Sequence, residues 1–232
     1  MISMRGSHEF DTVEVEWIDH ASIKLKDSDG FTVYVDPWSD IMDANKEYEK
    51  ADVIISTHDH FDHFDKKAIQ ALKKRNTVLI LTEQSEDDAP EEMDTKVIKP
   101  GTSVKAHGHR FKGVEAYNVD KFREPDTPFH PKGLCTGVIF ELDGLKFYHA
   151  SDTDPIDEMD KLADEEIDVA FMPAGGHYTM DQEEAIEAVK KVNPGKVVPI
   201  HYGYVDQTTA DPEKFREDVE RETGSEAVIL ED

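Results

Sequence analysis

The densest chemistry in this sequence lies between His58 and His63, where three histidines and two aspartates occupy six positions. Imidazole nitrogen and carboxylate oxygen are ligands for zinc, manganese and iron. In a loop that follows a strand, His58 and His60 can face one ion while Asp62 and His63 reach a second. Two ions about 3.5–4 Å apart would clamp a hydroxide between them. We therefore predict a metal centre that activates water, with a solvated charged loop as the alternative.

Buried strands are predicted to deliver the functional side chains. Residues 51–55 form a short apolar run directly before the histidines, which is typical of a buried strand. Asp65 follows the histidines and is predicted to cap a helix. Similar apolar runs end just before Asp152, His177 and His201. Because α/β sites are commonly built at the carboxyl ends of strands, these residues are candidate ligands or pocket groups.

Length and charge limit the possible classes of protein. The chain has 232 residues, and its 52 acidic against 26 basic side chains give a formal charge of −26. We predict one domain over residues 11–232, preceded at 1–10 by a disordered extension or a remnant of cloning. The charge disfavours nucleic acid and anionic membrane as partners. An anionic small molecule stays compatible, because bound metal reverses the local field. Since Cys135 is the only cysteine, no intramolecular disulfide can form, which suits a reducing cytoplasm.

The spacing His58-x-His60-x-Asp62-His63 after a strand resembles the signature of the metallo-β-lactamase superfamily. The motifs Asp-His-Ala-Ser at 19–22, Phe-His-Pro-Lys-Gly at 129–133 and Pro-Ile-His-Tyr-Gly at 199–203 are similar to a compact branch of it. That branch includes predicted metal-dependent hydrolases, ascorbate-6-phosphate lactonases and N-acylphosphatidylethanolamine phospholipase D. The resemblance implies an α/β (α+β) fold of four layers, αββα, with the metals at one edge of the sheets.

The resemblance also implies further ligands. Asp152, in a Ser-Asp-Thr motif, matches the carboxylate that bridges both metals, and His201 matches the last ligand of the second metal. Many members place a third histidine on the first metal where this chain has Asn118, and asparagine is a poor zinc ligand. We predict that His130, on the following loop, supplies the missing nitrogen. Contact between His130 and the substrate is the alternative.

Other residues are predicted to lie beside the ligands. The candidates for lining the pocket or for bracing the ligands are His20, Asp36, Asn118 and Tyr202. The alternatives are a hydrogen-bonded strand histidine for His20 and a turn-forming aspartate for Asp36. Asp62 is also predicted to carry a proton to the leaving group. His177 would stabilise developing negative charge together with His130.

These features predict a cytoplasmic metal-dependent hydrolase that uses a metal-bridging hydroxide on an ester, a lactone or a phosphodiester. The cofactor is expected to be one or two Zn²⁺ ions, with Mn²⁺ or Fe²⁺ as alternatives. The substrate is expected to be a small molecule, and neither nucleic acid nor membrane is expected as a partner. Two other functions are weighed: a phosphodiesterase acting on nucleotides or RNA, and a metal-binding protein without catalytic activity, which the asparagine at position 118 would favour.

Overall fold

The computed structural model describes residues 6–230, which form two seven-stranded sheets and a separate hairpin. The strands of the first sheet lie side by side in chain order. They are β1 (Ser7–Phe10), β2 (Val13–Asp19), β3 (Ser22–Lys26), β4 (Thr32–Val35), β5 (Ala51–Ile55), β6 (Lys73–Leu81) and β7 (Asp94–Val97). Strands β1 to β4 pair antiparallel, whereas β4 to β7 pair parallel, so this sheet is mixed.

The second half of the chain supplies the second sheet and the hairpin. Its strands are β8 (Ser103–Ala106), β9 (His109–Ala116), β10 (Phe122–Glu124), β11 (Thr127–Pro128), β12 (Cys135–Leu142), β13 (Leu145–His149), β14 (Val169–Pro173), β15 (Lys196–Ile200) and β16 (Glu226–Ala227). The hairpin is β10–β11, and the sheet runs in the order β16-β15-β14-β13-β12-β9-β8. Strands β13 to β16 are parallel, so their carboxyl ends share one edge.

Helices cover the outer face of each sheet. They are α1 (Lys66–Leu72), α2 (Gln182–Val192) and α3 (Pro212–Glu222), with 3-10 segments at Glu83–Asp88 and Asp157–Glu165. Helix α1 packs on the first sheet, whereas α2 and α3 pack on the second. This arrangement confirms the predicted αββα sandwich. Within residues 6–230, no helix combines the length and the apolar character needed to cross a membrane.

The predicted start of α1 is confirmed, because the Asp65 carboxylate accepts hydrogen bonds from the backbone N–H groups of Lys67 and Ala68. Two otherwise unpaired donors of the first turn are satisfied in this way. The cap fixes the point at which the chain leaves the histidine loop and enters the helix. It therefore limits the loop to the residues between β5 and Asp65.

The core between the sheets contains a row of phenylalanines. Phe140 is 2% exposed, and its ring centroid lies 5.5 Å from that of Phe111 and 5.9 Å from that of Phe147. Alternate residues of the facing strands, such as Val53 and Ile55 of β5, pack into the same cluster. This apolar layer holds the two sheets together and so fixes the relative position of their strand ends.

The structure differs from the prediction at the N-terminus. Ser7–Phe10 do not form a disordered extension but pair with β2, and Phe10 is 3% exposed within the core. The run is too short for its alternation to be visible in the sequence, so only the pairing with β2 identifies it as a strand. The rest of that predicted extension, residues 1–5, lies outside the described residues.

Replacing Phe140 by alanine should lower the free energy of unfolding by about 3–5 kcal/mol, because the ring leaves a cavity between the sheets. Urea denaturation followed by circular dichroism measures this change. The matched control is Phe122→Ala, since the Phe122 side chain is 46% exposed on the hairpin. An equal loss in both variants would contradict this description of the core.

Candidate metal centre

The candidate site lies where the strand ends of both sheets meet, and hydrogen bonds join loops from the two halves. The backbone N–H of Thr136 donates to the carbonyl of Thr57 at 3.0 Å, and that of His201 donates to the carbonyl of His20 at 2.8 Å. Gly175 allows the loop after β14 to pass close to His201, because a Cβ there would lie 2.2 Å from the His201 carbonyl oxygen. The sheets are therefore locked together at the site itself.

Four residues at these strand ends have left-handed backbone conformations although none is glycine. The φ angles are 50° at His20, 48° at Asp36, 62° at Ser151 and 60° at His201. Such conformations cost about 1–2 kcal/mol per residue and cluster at functional sites, where surrounding structure enforces them. The chain turns sharply at each point. These turns place polar side chains at the edge where the strand ends of the two sheets meet.

Three imidazoles form what we call the first donor group: His58, His60 and His130. Nε2 of His58 lies 3.1 Å from Nδ1 of His60, and the ring centroid of His130 lies 5.2 and 5.0 Å from those of His58 and His60. Tetrahedral ligands that are each about 2.0–2.1 Å from a zinc ion lie about 3.3 Å from one another. The spacing of His58 and His60 matches that value.

The second donor group consists of Asp62, His63 and His201. Nε2 of His63 lies 3.6 Å from Oδ2 of Asp62. Ligand atoms of Asp62, His63, His201 and the adjacent His20 all lie within 4.8 Å of one another. Among the described residues, the buried Nε2 atoms of His63 and His201 have no hydrogen-bond partner. Buried polar atoms are seldom left so, and a metal ion would satisfy both.

The carboxylate of Asp152 lies between the two groups. Its Oδ2 is 3.2 Å from Nε2 of His130, 3.5 Å from Nε2 of His63 and 3.3 Å from Nε2 of His201. The residue is only 3% exposed. One carboxylate oxygen thus faces ligand atoms from both donor groups.

Burial and crowding perturb the pKa values of these groups. Burial lowers the pKa of His58 far below its ordinary value, and the charge of His63 adds to the effect. Burial alone would raise the pKa of Asp152, but the neighbouring histidines, His201 first, hold it well below its usual range. Burial would lower the pKa of His63, yet Asp152 and Asp36 raise it well above its ordinary value. The buried carboxylates are thus stabilised by positive charge close to them, which a metal ion would supply.

Asp36 braces the second donor group from behind. The side chain is fully buried, and its carboxylate accepts hydrogen bonds from the backbone N–H and hydroxyl of Thr57 and from Nδ1–H of His63, each at 2.8 Å. This contact assigns the proton of His63 to Nδ1 and leaves Nε2 bare. The carboxylate of Asp36 thereby fixes the orientation of the His63 ring, as carboxylates beside metal-binding histidines commonly do.

His20 lies beside the second donor group. Its Nε2 is 3.0 Å from Oδ2 of Asp62, and its ring centroid is 3.8 Å from that of His201. Burial, together with the charge of His201, lowers the pKa of His20 to about 4. A neutral imidazole can therefore donate one hydrogen bond to Asp62. That bond restricts the orientation of the carboxylate.

Asn118 contacts His130 rather than the donor atoms. Its side-chain nitrogen donates to Oδ1 of Asp154 and to the carbonyl of Tyr178, which fixes the orientation of the amide. Its Oδ1 then accepts from both the backbone N–H and Nδ1–H of His130, each at 2.8 Å. The amide is fully used by these four bonds. His130 consequently has its bare Nε2 on the side of Asp152.

Three other residues named in the sequence analysis belong to neither donor group. Tyr202 is buried in the core, with its ring centroid 4.9 Å from that of Trp17. His177 is exposed and packs against Phe129 at 5.7 Å, outside the lining of the cavity described below. Cys135 is buried with its sulfur within 4.8 Å of ligand atoms of His58 and His130, and burial raises the pKa of its thiol well above the usual value.

A cavity of about 600 Å³ opens over both donor groups. Its wall includes residues that sequence reasoning missed: Asp59, Phe61, Arg123, Phe129, Tyr178 and Val205. The loop from 118 to 133 contains Arg123, which no motif marks, and Phe129, which begins the Phe-His-Pro-Lys-Gly motif but was not predicted to line a cavity. Tyr178 follows the residue that was chosen, His177, by one position.

Comparison with known proteins agrees with this geometry. A profile of the β-lactamase superfamily domain matches residues 14–201. UPF0173 metal-dependent hydrolases from Natranaerobius thermophilus and Thermus thermophilus are 32% and 34% identical, each match covering 94% of this chain and 96% of the relative. A crystal structure described as a metal-dependent hydrolase from Parabacteroides distasonis superposes with a TM-score of 0.83 at 31% identity, covering 97% of this chain and 98% of that one. The protein therefore belongs to the metallo-β-lactamase superfamily, and within it to the UPF0173 metal-dependent hydrolases.

Replacing Asn118 by alanine should weaken metal binding by about 10–100-fold, because His130 loses the acceptor that fixes its ring and its tautomer. A competition titration against a chromophoric chelator measures the affinity, and circular dichroism verifies folding. Asn45→Ala is the control, since Asn45 is exposed and bonds only locally to Asp43 among the described residues. Unchanged affinity in the folded Asn118→Ala variant would contradict an orienting role.

Proposed function

We propose that the two donor groups hold a pair of metal ions and that the protein uses them to hydrolyse an ester, a lactone or a phosphodiester. Membership of the UPF0173 family makes the chain a metal-dependent hydrolase acting on a small-molecule substrate. The observation that carries the finer proposal is the position of Asp152. One of its oxygens lies within 3.5 Å of imidazole nitrogens from both groups.

The donor chemistry supports zinc as the proposed metal. The first donor group offers three imidazole nitrogens, and the second offers two imidazoles and a carboxylate. Zinc accepts such nitrogen and oxygen ligands at tetrahedral spacing, and Mn²⁺ or Fe²⁺ would accept them as well. In this assignment the first ion would be held by His58, His60 and His130, the second by Asp62, His63 and His201, and Asp152 would be shared between them.

When bound, such a pair supplies a Lewis acid and lowers the pKa of water to near 7. The chain's own residues then orient and protonate. Asp62 lies at the cavity wall with a side chain 19% exposed, so its carboxylate can pass a proton to the leaving group. His20 restricts that carboxylate through its 3.0 Å hydrogen bond. Polar groups of the cavity wall would stabilise developing negative charge. His177 lies outside that wall and is not assigned this role.

The charge distribution favours a small substrate over a polynucleotide. Proteins that bind single-stranded nucleic acid use a positively charged groove and aromatic platforms. Arg123 is the one lysine or arginine among the described residues that line the cavity, and the chain carries a net charge of −26. A nucleotide or RNA phosphodiesterase is therefore the weaker proposal. A small substrate with its own negative charge remains compatible.

The non-catalytic alternative depended on Asn118 as an inadequate ligand. That argument loses its basis if His130 supplies the third nitrogen, which its distance of 3.2 Å to Asp152 supports. A cytoplasmic location also remains part of the proposal. It is supported by the single, buried cysteine, which needs no oxidising compartment.

Mutation of the proposed ligands tests the scheme. We expect His60→Ala and Asp62→Ala to lower the metal content below two ions per chain and to reduce turnover to background, because each removes a ligand. Metal is measured by mass spectrometry. Turnover is measured on 4-nitrophenyl pentanoate, on a lactone panel and on bis(4-nitrophenyl) phosphate.

His107→Ala is the matched control, because His107 is exposed and its ring bonds to the carbonyl of Asn76. It should retain both metal and activity. Full activity in either ligand variant would refute the scheme. One ion or none in the wild-type protein, together with no turnover of any substrate, would support the non-catalytic alternative instead.

A further inference from the structure

The hairpin β10–β11 and the residues that follow it form one side of the cavity. Phe129, directly after the hairpin, is half-buried, and its ring meets that of Tyr178 edge-on at 5.0 Å. Across the wall lies Phe61, whose side chain is 73% exposed although its ring packs on Trp38 at 5.7 Å. The wall of the cavity therefore offers aromatic surface that water covers in the free protein.

Arg123 is held against this wall. Its Nη2 donates to the carbonyl of Phe129 at 3.1 Å, and its guanidinium carbon lies 5.7 Å from the centroid of the Phe129 ring. Hydrogen bonding and a cation–π contact thus limit its position. A guanidinium has five N–H donors, so one bond to a carbonyl leaves most of them for a ligand.

Arg123 has no carboxylate partner among the described residues, unlike Lys121 and Lys132, the basic residues on either side of it in the chain. Acidic side chains outnumber basic ones by 52 to 26, and cations close by are paired, such as Lys121 with Glu184 and Lys132 with Glu158. Within residues 6–230, no carboxylate oxygen is recorded within 4.0 Å of the Arg123 guanidinium. A planar cation without a carboxylate partner thus lies in the wall of a cavity whose other lining residues include three aspartates and four histidines.

We propose that Arg123 is a specificity-determining residue that binds a carboxylate or phosphate group of the substrate, at a distance from the bond that is hydrolysed. This inference rests on the proposed function for the position of that bond. Planar guanidinium groups bind both anions through two parallel hydrogen bonds. The substrate class is therefore an anionic ester, lactone or phosphodiester whose apolar part lies along Phe129 and Phe61.

The size of the cavity agrees with such a molecule. A volume of about 600 Å³ falls within the roughly 300–1,000 Å³ that is usual for small-molecule sites. Asp62 and Asp152 would be neutralised by bound metal, which leaves Asp59 as the other carboxylate of the lining. The arginine side of the cavity therefore receives the anion while the donor groups receive the reacting bond.

A matched pair of esters tests the proposal. The 4-nitrophenyl monoester of glutarate carries a terminal carboxylate where 4-nitrophenyl pentanoate has a methyl group, so the ratio of their kcat/KM values isolates the effect of charge. We expect the wild-type protein to favour the glutarate ester and Arg123→Gln to lower this ratio about tenfold to a hundredfold. Arg123→Lys, which keeps the charge but loses the planar fork, should give an intermediate ratio.

Arg110→Gln is the matched control, because Arg110 is exposed, lies outside the lining of this cavity and changes the net charge equally. It should leave the ratio of the two esters unchanged. A wild-type protein without preference for the anionic ester would overturn the proposal. So would an equal fall of the ratio in the Arg110→Gln and Arg123→Gln variants.

Binding measurements separate this proposal from the proposed function. Zinc-loaded protein is titrated calorimetrically with benzoate and with phenyl phosphate. For the anion class that the site accepts, we expect the Kd of Arg123→Gln to be about tenfold higher than that of the wild-type protein. If neither ester, no lactone of the panel and no phosphodiester is hydrolysed, the proposed function fails, while this titration still decides the role of Arg123. Equal affinities of both anions for the wild-type protein and Arg123→Gln would overturn it.

Discussion

A carboxylate buried among imidazoles is the interaction on which the site depends. Asp152 is 3% exposed, and burying an unpaired charge is costly unless opposite charge compensates it. In the metal-free protein, Asp152 and Asp36 raise the pKa of His63 well above its ordinary value, because buried carboxylates favour positive charge beside them. Metal ions would supply that positive charge and bring the nitrogens of both donor groups into use. The same charge balance thus stabilises the fold and prepares the site.

The architecture explains how donors far apart in the chain converge. Strand β5 of the first sheet and strands β13 and β15 of the second end at one edge, where left-handed residues turn the chain. The phenylalanine layer between the sheets fixes the separation of those ends. Backbone bonds between the two halves, such as that from His201 to His20, then remove the remaining freedom. Catalytic geometry is in this way a consequence of sheet packing.

Much of this could be predicted from the sequence, for physical reasons. Short apolar runs before His58, Asp152 and His201 indicate buried strands, and Asp65 is a strong helix cap. The mutual contacts of Asn118 and His130 could not be predicted, because they depend on how the loop from 118 to 133 folds back across β9. Arg123 could not be predicted for a related reason, because its lack of a carboxylate partner depends on which residues surround it in the folded chain. His177 was predicted as a site residue because it follows a strand. Its backbone has a positive φ of 61°, and its side chain is exposed outside the lining of the cavity.

The most direct measurement of the central claim is a crystal structure of the metal-loaded protein with anomalous diffraction at the zinc, manganese and iron edges. The account predicts two peaks that share Asp152, one bound by the first donor group including His130, the other by the second. A single ion, or ions that Asp152 does not contact, would contradict it.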